Sequence, residues 1–140
     1  MVHGIDHAGI AVRSLEERIP FYRDVLGLGE PEIEEVPAQK VRVAMFQTGA
    51  GRIELLEPTS PESPIAKFIE KNGEGIHHLA LGTEDINGAI QAVEAPGLRM
   101  IDSVPREGAG GARIAFVHPK SSGGVLLEFC RRTHQPDVPD

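Results

Sequence analysis

Two spacings of hydrophobic and polar residues alternate along this chain. In Ile5-Asp6-His7-Ala8-Gly9-Ile10-Ala11-Val12 the two-residue step of a strand puts Ile10 and Val12 on one face and His7, Gly9 and Ala11 on the other. Residues 14–26 then place Leu15, Ile19, Tyr22, Val25 and Leu26 at helical spacing, with capping-box residues Ser14-Leu15-Glu16-Glu17 at the start and Gly27 as the stop. Pro20 disagrees with that helix: so far inside, it should kink it or mark its true start. Residues 41–46 and 52–56 read as strands separated by Gly49-Ala50-Gly51.

The same order then recurs. Ile76-His77-His78-Leu79-Ala80-Leu81-Gly82-Thr83 lines up with the first strand, again with a polar and small-residue face (His78, Ala80, Gly82) and an apolar one (Leu79, Leu81). Asp85 caps a helix carrying Ile86, Ala89, Ile90 and Val93 that ends before Pro96-Gly97. Strands at 114–117 and 125–129 follow, with turn residues 119–124 between them. Between the copies Ser63 (N-cap), Pro64 (N1), Ile65, Phe68, Ile69 and Gly73 write one further helix. The expected fold class is therefore α+β: one domain over 1–140, made of two tandem modules at about 4–58 and 75–130, each a strand, a helix and further strands, with a linker helix at about 63–73 and a tail at 131–140.

The repeat singles out four residues. Each copy has a histidine on its first strand and a glutamate on its last, His7 with Glu54 and His78 with Glu128, at almost the same spacing. Small residues around each histidine hollow that face into a cleft. Imidazole and carboxylate donors together suit Zn, Co, Ni, Mn or Fe(II), and four protein ligands would leave positions open in a six-coordinate shell. One shared divalent-metal site is the expectation. A lone strand histidine is more often structural, and a lone strand glutamate more often solvated; the repeated pairing is what favours the site.

Other candidates carry less. His77 falls on the core side by parity and reads as a packed, hydrogen-bonded histidine, while His118, before Pro119 at a strand end, could orient the turn or touch a ligand. His3 and His134 lie near the termini and read as solvated. Gly108-Ala109-Gly110-Gly111 lacks the context of a P-loop or a Rossmann turn; a loop that closes over substrate is one role open to it. The single cysteine, Cys130, excludes an internal disulfide and sits in an apolar run as a packing residue.

Composition narrows the partners. A formal net charge of -7 and 4% aromatic residues argue against a nucleic-acid surface. An anionic ligand would have to find a local basic cluster among the scattered Lys40, Arg42, Arg106, Arg113 and Lys120. No apolar run is long enough to span a bilayer, so no membrane partner is expected, and Met1-Val2-His3-Gly4 does not open like a signal peptide. The expected location is cytoplasmic.

At this point the residues resemble a family. Ile53-Glu54-Leu55-Leu56-Glu57-Pro58, Ser63-Pro64-Ile65-Ala66-Lys67-Phe68, Gly75-Ile76-His77-His78 and above all His118-Pro119-Lys120-Ser121-Ser122-Gly123-Gly124-Val125-Leu126-Leu127-Glu128 resemble the vicinal-oxygen-chelate (glyoxalase/bleomycin-resistance/dioxygenase) superfamily and, within it, the methylmalonyl-CoA epimerase family. The last run differs from the Asp-Pro-Asp-Gly turn usual in glyoxalase I. The resemblance implies two tandem βαβββ modules whose eight strands curve into a cup around the metal, a homodimer, an acyl-CoA substrate and cobalt as the favoured ion. It further implies epimerisation of methylmalonyl-CoA at C2, in the route joining propionyl-CoA to succinyl-CoA.

By motif position His7, His78 and Glu128 match the family's metal ligands, and Glu54 falls where members carry Gln or Glu. Some bacterial members place a further catalytic glutamate where this chain has Val43, and Ala38 and Lys40 also differ from residues frequent there. With that acid missing, Glu54 and Glu128 are the expected bases, one for each face of the substrate, acting on the proton alpha to the thioester. Lys120 and His118 are candidates for substrate contact. Two other readings stay open: a glyoxalase I-type isomerase on the same scaffold, and a non-enzymatic small-molecule-binding module.

Overall fold

The structure is a computed structural model and describes residues 1–132; His134 and the rest of the tail lie outside the described residues. Contacts divide the chain into two compact units, Ile5–Ala80 on the one hand and Met1–Gly4 with the residues from Leu81 onward on the other.

The first unit holds most of β1 (Val2–Ala11), then α1 (Leu15–Pro20), β2 (Glu32–Val36), β3 (Val41–Gln47), β4 (Arg52–Pro58), α2 (Pro64–Asn72) and the greater part of β5 (Gly75–Thr83). Its strands run in the order β2-β3-β4-β1-β5. β3 is antiparallel to β2 and β4, and β4 is parallel to β1. Its core is built by Val12, Leu15 and Ile19 against Ala44, Phe46 and Leu55.

The second unit holds α3 (Ile86–Glu94), β6 (Arg106–Glu107), β7 (Arg113–Val117), α4 (Pro119–Ser122) and β8 (Leu127–Arg131), with β7 antiparallel to β6 and β8. Here Ile86, Ala89 and Ile90 pack on Ala115, Val117 and Phe129, the same helix-on-strands arrangement as in the first copy. The eight strands among the described residues thus fall twice into the order strand, helix, three strands, as the repeat requires.

Capping follows the sequence. The Ser14 hydroxyl accepts from the Glu17 N–H at 3.2 Å, the Ser63 hydroxyl from Ile65 at 3.1 Å, and Asp85 Oδ1 from Gly88 at 3.0 Å. Pro20 does not start α1 but is its last residue. Proline has no N–H for the Glu16 carbonyl, and from Phe21 to Val25 the chain takes the wider π spacing, with Leu26 N–H donating to the Phe21 carbonyl at 2.9 Å. That widening leaves Val25 and Leu26 exposed, although their spacing had put them on the buried face.

Other boundaries also shift. β2 and β6 were not legible as strands. Glu32-Ile33-Glu34-Glu35-Val36 is too acidic to advertise a strand, yet acidic residues suit the edge position that β2 occupies. Residues 119–122 form a short helix rather than an open turn, and Gly123, at φ 82°, ends it in a conformation a side chain would strain. β8 consequently begins at Leu127, not at Val125, which is half-exposed. Residues Ala109–Gly111 make a 3-10 turn closed by the Gly108 N–H on the Ala112 carbonyl at 2.9 Å. No helix among the described residues is long and apolar enough to cross a membrane, which says nothing of β-barrel proteins.

Candidate metal centre

Strand register brings three of the four singled-out residues together within the unit Ile5–Ala80. Glu54 on β4 lies beside Gly9 on β1 in the parallel pairing and beside Met45 on β3 in the antiparallel one, so it shares the face of His7, Gly9 and Ala11. His7, Glu54 and His78 are 4%, 4% and 6% exposed. His7 Nε2 stands 3.1 Å from His78 Nε2 and 3.5 Å from Glu54 Oε1. Two imidazoles meet edge to face with a carboxylate beside them, a donor set that fits a borderline divalent cation.

The small residues on this face make room for imidazole rings. A Cβ added to Gly9 would lie 2.3 Å from His78 Cε1, so this glycine is required by the close approach of the ring. Gly82 has the same relation to His3, whose Cε1 would be 2.8 Å away. His3 is exposed, as expected, with Nε2 3.4 Å from the Glu84 carboxylate.

The histidine nitrogens remote from this meeting point are also engaged. His7 Nδ1 lies 2.7 Å from Asp6 Oδ2, and His78 Nδ1 lies 3.0 Å from His77 Nδ1. His77 stacks edge to face on Phe68 of α2 with ring centroids 5.1 Å apart, which bears out its reading as a packed, hydrogen-bonded histidine. Burial pushes the His77 pKa down to about 4. Burial, and then His7 and His77, hold His78 well below the ordinary imidazole value. Both rings are thus neutral at pH 7, the state in which an imidazole can ligate. Asp6 was missed in the sequence; the only signal was an acid next to a strand histidine.

Outside this unit, Glu128 is buried on β8, opposite Phe116 of β7. His118 Nδ1 accepts from the Lys120 N–H at 3.0 Å, so it orients the turn, and the Lys120 side chain is exposed. Cys130 is buried, as its apolar surroundings required. Of the scattered cations, Arg42 pairs with Glu57 at 3.3 Å and Arg106 with Asp102 at 3.2 Å. Val43, where an acid was sought, is 2% exposed and stands opposite Leu56 on the same face as Glu54.

The chain belongs to the glyoxalase/bleomycin resistance protein/dioxygenase superfamily, whose family profile matches residues 6–116. Within that class its similarity is to methylmalonyl-CoA epimerases. It is 36% identical to the mitochondrial methylmalonyl-CoA epimerase of Mus musculus, covering 89% of this chain and 71% of that protein. It is 39% identical to the ethylmalonyl-CoA/methylmalonyl-CoA epimerase of Cereibacter sphaeroides, covering 92% and 98%. In structure it matches a variant of Streptomyces coelicolor methylmalonyl-CoA epimerase in complex with 2-nitronate-propionyl-CoA, with a TM-score of 0.91 at 38% identity, over 95% of this chain and 96% of that one. The expected α+β fold of paired βαβββ modules is therefore the fold of these epimerases.

Proposed function

We propose that this chain is an isomerase that interconverts the two C2 epimers of methylmalonyl-CoA in a metal-dependent reaction. The observation that carries the reading is the buried meeting of His7 Nε2, His78 Nε2 and Glu54 Oε1 in a chain similar over most of its length to methylmalonyl-CoA epimerases. His7, Glu54 and His78 would hold the ion together with Glu128, the counterpart of Glu54 in the second copy. When bound, the ion supplies Lewis-acid stabilisation of the charge that develops on the thioester oxygen.

The chain's own residues do the rest. Epimerisation removes the proton alpha to the thioester carbonyl and returns one to the opposite face, so it needs two groups that can each hold a proton. Val43 offers only hydrocarbon. The reading therefore assigns the two positions to Glu54, whose Oε1 lies 3.5 Å from His7 Nε2, and to Glu128. Burial of Glu54 keeps water from competing for the proton. Lys120 and His118 are assigned to the acyl-CoA. Cobalt as the native ion, a homodimer, a cytoplasmic location and a place in propionate metabolism belong to the same reading.

Metal-stripped protein refilled with single ions and incubated with methylmalonyl-CoA in deuterated water tests it. Exchange of the alpha hydrogen with at least one of Co, Zn, Ni, Mn or Fe(II), and none without metal, is expected. Turnover of a glutathione hemithioacetal in place of that exchange would overturn the reading in favour of a glyoxalase-type isomerase. Glu54→Gln should lower the exchange rate by about 100-fold or more; near-normal turnover with intact metal binding would remove Glu54 as a base.

A further inference from the structure

We propose that Asp6 and His77 are paired positioning residues, each fixing the Nδ1 atom of the histidine that follows it, so that both histidines present Nε2 as the ligand atom. This rests on the metal-site reading above. Successive side chains of a strand point to opposite faces, so a residue is not expected to reach its immediate neighbour's ring. Here it happens twice, at equivalent positions of the repeat: Asp6 Oδ2 to His7 Nδ1 at 2.7 Å, and His77 Nδ1 to His78 Nδ1 at 3.0 Å. The two Nε2 atoms are left 3.1 Å apart, facing one another.

The proton assignments follow from what each group can do. A carboxylate only accepts, so His7 must carry its proton on Nδ1, and its Nε2 lone pair points inward. His77 Nδ1 and His78 Nδ1 share one hydrogen bond, so one of them donates and the other accepts. When His77 accepts, His78 donates from its own Nδ1 and frees Nε2 in turn. Asp6 thus dictates a tautomer, while His77, which can donate or accept at the same atom, allows the His78 proton to leave Nε2 when a cation arrives. An ordinary packing role for His77 would use its edge-to-face contact with Phe68 and not its nitrogen.

Substitutions separate these roles. His77→Phe keeps an aromatic ring against Phe68 and removes the acceptor; His77→Asn loses the ring and keeps an acceptor oxygen near the Nδ1 position. Affinity for Zn or Co, measured by chelator competition, should fall about 10–100-fold in His77→Phe and in Asp6→Ala, and return to within a few-fold of the unsubstituted protein in His77→Asn and Asp6→Asn. The reverse order at position 77, with Phe tolerated and Asn not, would overturn the proposal. A second measurement needs no substitution: nitrogen-15 NMR of the zinc-loaded protein should find the proton on Nδ1 of both His7 and His78, and an Nε2-protonated state at either would overturn it. If the protein takes up no divalent ion, the metal-site reading fails by itself. The Nδ1 proton on His7 in metal-free protein then decides the Asp6 half alone, and its absence sinks that half too.

Discussion

Position 9 has no room for a side chain, since the His78 ring occupies the place where a Cβ would stand. Gly9→Ala should therefore push the imidazole out of line with His7 and lower metal affinity by at least ~100-fold, the upper end of what losing a supporting contact costs. Overpacking of this kind typically destabilises a fold by about 1–3 kcal/mol, so the variant should remain folded by circular dichroism while failing to hold zinc in equilibrium dialysis. Undiminished zinc binding would show that the ring has another stable position. The sequence made His7, Glu54 and His78 legible because the repeat and strand parity are both carried by residue spacing. Asp6 was not legible, because parity places it on the opposite face and only the geometry of its carboxylate brings it back to His7.

Among the elements, α1 is fastened to the chain just ahead of β5 through one side chain. Glu74 accepts the Arg13 backbone N–H at 2.7 Å and Arg18 Nε at 2.8 Å. The Arg13 hydrogen bond, against a cost of burial and with help from Arg18, holds the Glu74 carboxyl below its ordinary value of 4.5. A carboxylate whose pKa falls on folding contributes stability in full above the unfolded value, and the contribution is lost as pH drops through the folded one. Denaturant unfolding should accordingly show Glu74→Gln less stable than the parent chain at pH 7, with the gap closing below pH 4.5. A gap that stays constant with pH would assign the effect to packing. Elements with strong local signals, such as α2 behind Ser63-Pro64 and α3 behind Asp85, appear where capping chemistry puts them. Those that escaped are β2, an acidic edge strand, and the π-turn after Pro20, whose form depends on one missing N–H that propensity does not describe.

At the scale of the whole molecule, a metal that binds only the folded chain adds to its stability by mass action. With free ion at a hundred times its dissociation constant the gain is about 2.7 kcal/mol. For a chain of this size that corresponds to a rise of roughly 10 °C in Tm. Chelator titration followed by calorimetry should find this shift in the unsubstituted protein and lose it in His7→Ala; a Tm indifferent to metal in both would deny the ion any part in folding. The repeat adds a constraint of a different kind. His78, from the second copy, rests on Gly9 of the first, and His3, from the first, rests on Gly82 of the second. The first half thus holds the glycine that the buried ring of the second half requires, whereas the exposed His3 ring can turn aside from Gly82. A side chain at position 9 is tolerated only when position 78 gives up its ring, so the two positions, one in each copy, are tied to change together.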